Sequence, residues 1–582
     1  MYHLYFLFLA VALLLSACAT PCIKNDSYKI VVKNNGGDCT QILLDALKKA
    51  KSYKGKRNIE IAFEKSTYVF GGDYAPDIYV FTSNNDEGLK RVIFPIIDFE
   101  NITINGNGAK FIFDGRINPF VIRNSKNIKL KNFTCDLARS GHSEAVVLDS
   151  FKGGVILEMK EEFPFEITQG CLMFVGKKDC ISTIQKRDNY YIYRSMLEFN
   201  PQRNAIEYNV ADVWGNDFGA FRADSMGGRK FKLYNTRANF QKGNIVVFSL
   251  GARYHSMFAI DECKDVAFEN ITVHDAYGMG IICQNTRNIV VDNCKFTPAK
   301  DRVVSCAADA THFVNCEGKI VLKNSLFENQ MDDATNIHGI YERVAKIESA
   351  DTFVSELVHR QQYGFETFVE GDEIEFVDRH SMITKVHAKI KTIEVINKQF
   401  KRIVLSAPIP QGVEKLDAIA KVRDYPEVII KNNIIRNNRA RGMLLNCRGK
   451  TIVENNLFST SGSALYFEGD ASNWFEQGGV RDCLIRNNTF ENCNYAKGWG
   501  NAVIEVAAGI TKNRETSRYN RNITIEGNTF KMYDETSLLK IFCVDNLKWQ
   551  NNKIEKTNAY PPKRKLPPFI TEHCSNIYIE IP

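Results

Sequence analysis

The chain has 582 residues, 44% hydrophobic and 25% charged, and a formal net charge of +7 from 75 basic and 68 acidic side chains. That length calls for several domains or one elongated repetitive one, and the composition excludes a disordered chain. The positive surplus is small and scattered without a Lys/Arg run, which reads as a solvated surface and excludes a nucleic-acid partner.

Residues 1–17 form one apolar stretch of signal h-region length, too short for a comfortable membrane span. The tetrapeptide Leu15-Ser16-Ala17-Cys18 resembles a bacterial lipobox, in which Cys18 becomes the lipidated first residue of the mature protein. One departure is an n-region with His3 but no Lys or Arg. The expectation is a signal peptide over 1–17 and an exported bacterial lipoprotein, periplasmic or at the cell surface, anchored through Cys18. The alternative is a simple signal peptide in which Cys18 is incidental. No later run is apolar enough to span a membrane.

Residues 28–148 read as an N-terminal cap and the first coils of a repeat. Gly37-Asp38-Cys39-Thr40-Gln41 leads into an amphipathic segment with Ile42, Leu43, Ala46 and Leu47 at helical spacing, and Asp38 or Thr40 can cap it. A nine-residue phrase then recurs: two alternating apolar positions, a polar pair usually containing Asn, and an apolar residue. It is seen as DVAFENITV from Asp265, NIVVDNCKF from Asn288, KIVLKNSLF from Lys319 and EVIIKNNII from Glu427. Further copies start at Lys450, Asp482, Asn522 and Asn546, with weaker ones at Asn101 and Asn127. Many neighbours start 23, 24, 31 or 32 residues apart. A period-two strand that buries one face, followed by an Asn turn, predicts coils stacked into a parallel β-helix. A leucine-rich array lacks its Leu scaffold here, and propeller blades need about 40 residues.

The phrase disappears twice. The all-β architecture expected is therefore a right-handed parallel β-helix with two inserted small β-barrel-like domains, at 149–240 and 340–425. Coils occupy 241–339 between them and 426–582 after them. Apart from Cys18, 15 cysteines are scattered singly without zinc-ligand spacing, so buried thiols are expected. A disulfide joining Cys306 to a neighbouring coil stays open.

The densest polar motif runs from Ala307 to Gly339. Asp309 precedes the pair Asp332-Asp333 by 23 to 24 residues, one coil, so strand stacking at about 4.8 Å should bring the three together. Offsets from the last apolar residue of each phrase predict a polar column of Gln284, Asp309, His338, Asn446 and Glu468. Asp333 and Arg441 share a second column. His312 and Asn336 lie inside the motif, and Arg253, His255, His274 and Asp275 lie on preceding coils. Glu468 precedes an exposed-looking Asn473-Trp474-Phe475 in which Trp474 could stack on the apolar face of a sugar, whereas Trp549 occupies a core position. Crowded carboxyls raise the pKa of one member, which suits glycoside hydrolysis by one acid and one base. From the residues alone, a Ca²⁺ site and plain turn chemistry remain open beside catalysis.

The segments Cys306–His312 (CAADATH) and Met331–Gly339 (MDDATNIHG) resemble those of glycoside hydrolase family 110, exo-acting α-1,3-galactosidases that include enzymes acting on the blood-group B antigen. The resemblance covers essentially the whole mature chain. It implies Asp309, Asp332 and Asp333 as catalytic residues, inversion of configuration, no metal or other cofactor, and galactose-terminated glycans of glycoproteins or glycolipids as partners. His312, Asn336, His338, Arg441, Asn446, Glu468 and Trp474 are the candidate substrate contacts, taken from the columns. The rival readings are a polygalacturonase-like hydrolase, whose N-T-D and R-I-K phrases are absent, a polysaccharide lyase, and a non-catalytic surface glycan-binding lipoprotein.

Overall fold

In the computed structural model the described residues are 27–581, apart from 54, 56, 177–189, 216–220, 236 and 251–252. The signal segment 1–17 and the lipobox Cys18 lie outside them. Two long sheets, of 21 and 13 strands and almost wholly parallel, form the spine. Each coil gives one strand to the smaller sheet and a bent pair to the larger. One coil, for example, runs through Ile281–Gln284, Arg287–Asp292 and Lys295–Phe296. The register of the smaller sheet stacks Ile281, Thr311, Thr335, Met443, Leu465, Ile504 and Leu539. The expected parallel β-helix is the fold.

The polar pair of the repeat explains why each coil turns where it does. Its first residue bends the chain in the left-handed region, at Asn432, Asn455, Asn487, Gly527 and Asn551 (φ 56°, 57°, 54°, 63° and 55°). Asn and Gly tolerate that conformation best. Its second residue points inward and forms a ladder: Asn433, Asn456, Asn488 and Asn528 each donate from Nδ2 to the Oδ1 of the next, at 3.0 Å, ending on Asn552. Each Oδ1 also accepts a backbone N–H of the coil before, so every buried polar group at the turn is paired. Beneath it, Phe458, Phe490, Phe530 and Trp549 stack with centroids 4.8–5.2 Å apart. Trp549 is core, as its repeat position implied.

The helix Thr40–Lys51 closes the N-terminal end of the spine and buries Leu43, Ala46, Leu47 and Ala50, with Ile42 half-buried. Cys39 is the cap residue, and Asp38 supplies the oxygen that accepts from the Thr40 N–H at 2.9 Å and from the Thr40 hydroxyl at 2.6 Å. All 13 cysteines among the described residues are free thiols, Cys306 included, and 11 of them are buried.

Two antiparallel bodies interrupt the coils. The first is an 11-stranded sheet that opens with Ser143–Phe151 and closes with Ile245–Leu250, a wider span than 149–240. The second is a closed six-stranded barrel from Glu342–Ile347 to Ala418–Lys421. They pack against opposite margins of one outward strip of the spine. Leu197, Phe199 and Val247 of the first sheet bury against Val303, Met331 and Trp499. Val377, Met382 and Ala418 of the barrel bury against Phe475, Ile510 and Tyr519. Between those margins lies the candidate site.

Candidate active site

The strip is the outward face of the 13-stranded sheet. Alternation sends Phe313, Ile337 and Leu445 into the core and leaves their neighbours facing out. One outward row reads Val121, Ala259, Ile282, His312, Asn336, Leu444, Tyr466, Glu505 and Lys540 from the N-terminal end. It changes from apolar to polar at His312, where the aspartates begin.

Asp309, Asp332 and Asp333 come together with one carboxylate oxygen of each within 4.8 Å of the others. Asp309 and Asp333 stack because their turns pair, the Ala310 N–H donating to the Asp333 carbonyl at 3.0 Å. Arg441 follows one coil on and grips Asp333 with Nε at 3.1 Å, Nη2 at 2.8 Å and its own backbone N–H at 2.9 Å. Asp332 receives Arg253 at 2.8 Å and Arg439 at 3.4 Å, and Arg439 is itself clamped by Asp212 of the first inserted sheet at 2.7 and 3.0 Å. Most of the lone pairs that a divalent cation would need are thus committed to guanidinium groups.

The three carboxyls are pushed apart in protonation. Burial, then the charge of Asp332, raises Asp309 to about 7. Burial also acts on Asp332, but Arg439, Arg253 and Arg441 outweigh it and hold that carboxyl below its ordinary value. Asp333 is drawn both ways: burial and its two acidic neighbours lift it to about 7 against the pull of Arg441.

Two histidines decide where the Asp309 proton sits. The Gly339 carbonyl only accepts, so His338 Nδ1, 2.8 Å away, carries a hydrogen. His312 Nε2 lies 2.9 Å from His338 Nε2, and where His338 Nε2 is the acceptor, His312 Nε2 is the donor. His312 Nδ1 is left as an acceptor facing Asp309 Oδ2 at 2.6 Å, and the proton between them belongs to Asp309. Burial followed by the neighbouring His338 keeps His312 well below the usual histidine range, which is the neutral form this chain requires.

The first predicted column is corrected by the strand register. Gln284, His338, Asn446 and Glu468 do share a row, but its member between Gln284 and His338 is Val314, not Asp309. Val314 lies 18 residues after Phe296, against 11 from Phe327 to His338, so the extra turn is far longer than two residues. Asp309 instead joins the row of Asp333 and Arg441. Gln284 is unavailable to a ligand, since its side-chain oxygen accepts the Ser83 N–H at 3.0 Å. Asn446 is a brace whose Oδ1 accepts the Glu468 N–H at 2.6 Å.

Asn336 faces out beside His312 and its buried carboxamide oxygen has no partner. The Glu468 carboxyl is lifted to about 7 by burial against the pull of Arg441. Trp474 stands on the rim, 37% exposed, its ring 4.2 Å from that of His359 of the second insertion. His255, His274 and Asp275 serve other places: they bond Asn118, the Thr297 carbonyl and Arg302. Asp212, Arg439, Tyr466 and Glu476, whose carboxylate lies 3.5 Å from His338 Nε2, were not singled out from the sequence. Arg439 sits two residues before Arg441, with Ala440 between them in the left-handed region, so the bend there and not strand alternation brings both to the aspartates. Asp212 lies in an insertion without repeats, where counting coils has nothing to count.

The chain is similar in sequence to known proteins over most of its length. The chain is 33% identical to Alpha-1,3-galactosidase A of Shewanella woodyi over 93% of its own length and 88% of that protein's. The chain belongs to glycoside hydrolase family 110. It is also 31% identical to an Alpha-1,3-galactosidase B of Phocaeicola vulgatus over 91% of each chain. With Alpha-1,3-galactosidase B of Akkermansia muciniphila it shares 30% identity over 89% of its own length and 64% of that protein's. The family described as GLAA-B beta-barrel domain II matches residues 352–419, inside the closed barrel. The family 110 barrel is therefore the body that carries His359 to the rim of the aspartate cluster.

Proposed function

We propose that the chain is an exo-acting, inverting α-1,3-galactosidase that removes terminal galactose from blood-group B-type glycans and from linear Gal-α-1,3-Gal. The observation that carries the reading is the cluster itself, Asp309, Asp332 and Asp333 with carboxylate oxygens within 4.8 Å of one another; burial raises Asp309 to about 7, while Arg439, Arg253 and Arg441 hold Asp332 below its ordinary value. Environments that push neighbouring carboxyls apart assign acid and base. Asp309 gives its proton to the glycosidic oxygen as the C1–O bond breaks. Asp332 takes a proton from the water whose oxygen bonds to C1 on the opposite face; because inversion needs the two carboxyls about 6.5–9.5 Å apart and their nearest oxygens lie within 4.8 Å, this step requires the substrate to part Asp332 from Asp309 as it binds. Arg441 holds Asp333 beside them.

Exo action follows from the closed end of the strip. N-terminal to Asp309 the outward face is covered by an apolar plug of Val80, Val121, Ala259, Met279 and Ile282. The backbone of Ser83 is pinned over Gln284 beside it. A strip closed at this end supports entry of a glycan by its terminus. Incubation of the purified protein with a B-type glycan and with Gal-α-1,3-Gal, followed by proton NMR, is expected to show β-galactose before α-galactose. Release of α-galactose first overturns inversion, and no galactose from either substrate overturns the galactosidase reading.

We also propose export and membrane anchoring through Cys18, supported by Leu15-Ser16-Ala17-Cys18. Wild-type protein should fractionate with membranes and incorporate labelled palmitate in a bacterial host, and Cys18→Ser should do neither. Identical behaviour of the two proteins would refute the anchor.

A further inference from the structure

The outward strip is asymmetric in a way that orients the whole glycan. On one side of the aspartates it is plugged. On the other it continues between the two inserted bodies as a floor of Leu444, Tyr466, Glu505 and Lys540. Its margins stay walled for the whole distance, since Trp499 and Tyr533 pack with the first insertion and Tyr519 and Cys543 with the second. Tyr466 and Glu468 are half-buried, Glu505 beyond them is buried, and the Lys540 side chain is 28% exposed.

Further along the floor Glu505 accepts from Asn501 at 2.8 and 2.9 Å and pairs with Lys540 at 3.6 Å, whereas the polar groups next to the aspartates are unused. Among the described residues, the Tyr466 hydroxyl and the Glu468 carboxyl have no hydrogen-bond partner, although both stand in a half-buried groove. The Arg441 guanidinium lies 5.8 Å from the Tyr466 ring centroid and also near Glu468, so one residue links this floor to Asp333. An aromatic ring with one apolar face, next to a carboxyl that accepts from hydroxyls, is the pairing that recognises a sugar ring. By strand spacing, Tyr466 lies two coils from Asn336, roughly 10 Å, and Lys540 lies four, roughly 19 Å.

We infer that the groove C-terminal to the aspartates is an aglycone channel: the neutral oligosaccharide that carries the terminal galactose lies along the helix axis, its first ring on Tyr466 and Glu468 and its continuation toward Glu505 and Lys540. This rests on the galactosidase reading and adds to it a direction, a first aglycone subsite and a length. The channel selects extended glycans over the bare disaccharide.

The test separates the two readings by substrate length and by binding without turnover. Wild-type enzyme is expected to show a higher kcat/KM on a glycan with two or more neutral sugars beyond the scissile bond than on Gal-α-1,3-Gal. Tyr466→Ala should raise KM for the extended glycan by roughly tenfold, the size of one aromatic contact, with a far smaller change in kcat. Inhibition by free galactose should stay unchanged. Lys540→Ala should cut only the gain from the longest substrates. In saturation-transfer NMR on the inactive Asp309→Asn protein, aglycone protons should lose signal when Tyr466→Ala is added, while terminal galactose protons keep theirs. Equal loss for free galactose and extended glycan, or no preference for length, overturns the channel. Failure of wild-type enzyme to release galactose, with the NMR contrast intact, overturns the galactosidase reading and leaves the direction of binding standing.

Discussion

Asp309→Asn should lower kcat on a glycan by about 10³-fold while costing an aryl α-galactoside with an acidic phenol about tenfold or less. A sugar alkoxide is a poor leaving group and needs the proton that Asp309 holds; an acidic phenolate leaves without it. Asparagine preserves shape and can still bond His312, so the loss measures the proton and not the fold. The pH dependence has a definite sign. The acid works while protonated, and Asp309 is raised to about 7, so activity of the wild type should fall as pH rises through that value. In the variant acting on the aryl substrate that alkaline limb should be gone. Equal losses on the two substrates, or an unchanged alkaline limb, would show that Asp309 is not the acid and transfer the role to Asp333, the other carboxyl raised to about 7.

Arg441→Met should destabilise the protein by about 3–5 kcal/mol near pH 8, the cost of leaving a buried carboxylate without its counter-charge. Asp333 is 2% exposed and both its oxygens face the guanidinium, at 3.1 and 2.8 Å. The penalty needs Asp333 ionised. Its folded pKa is about 7, above the unfolded value, so below that pH the carboxyl takes up a proton in either protein and the difference shrinks. Urea unfolding at pH 8 and pH 5 should therefore show a large gap in midpoint at the higher pH and a smaller one at the lower. Adding Asp333→Leu should recover much of the loss. A gap of equal size at both pH values would mean that Arg441 contributes packing and not charge.

The repeat was legible because its physics is local. Asn (once Gly527) in the left-handed turn and an apolar residue three places on recur from coil to coil, so a period of about two dozen residues revealed the spine and placed Asp309 above Asp333. Arithmetic failed where a coil departs from that period: the long turn after Phe296 moved Asp309 out of the row of His338. It was also blind to residues from the insertions. Asp212 and His359 reach the site because their bodies pack on the margins of the strip, a consequence of tertiary burial that no spacing encodes. The hydrogen-bond chain from Gly339 through His338 and His312 to Asp309 needed atomic distances, although three of its members had been singled out as candidates.

The buried thiols give this molecule a property unrelated to sugars. The free cysteines are spread from the cap at Cys39 to the last coils at Cys574, and burial pushes thiols such as Cys135, Cys283 and Cys306 well above the range in which a thiolate forms. A closed coil is thus inert to alkylating reagents, and one that opens becomes reactive at a known position. Because a solenoid is held mainly by contacts between adjacent coils, it can fray from an end without unfolding throughout. Its own cysteines are a set of chemical timers along that axis, and the order in which they react with a maleimide reads out which coils part first.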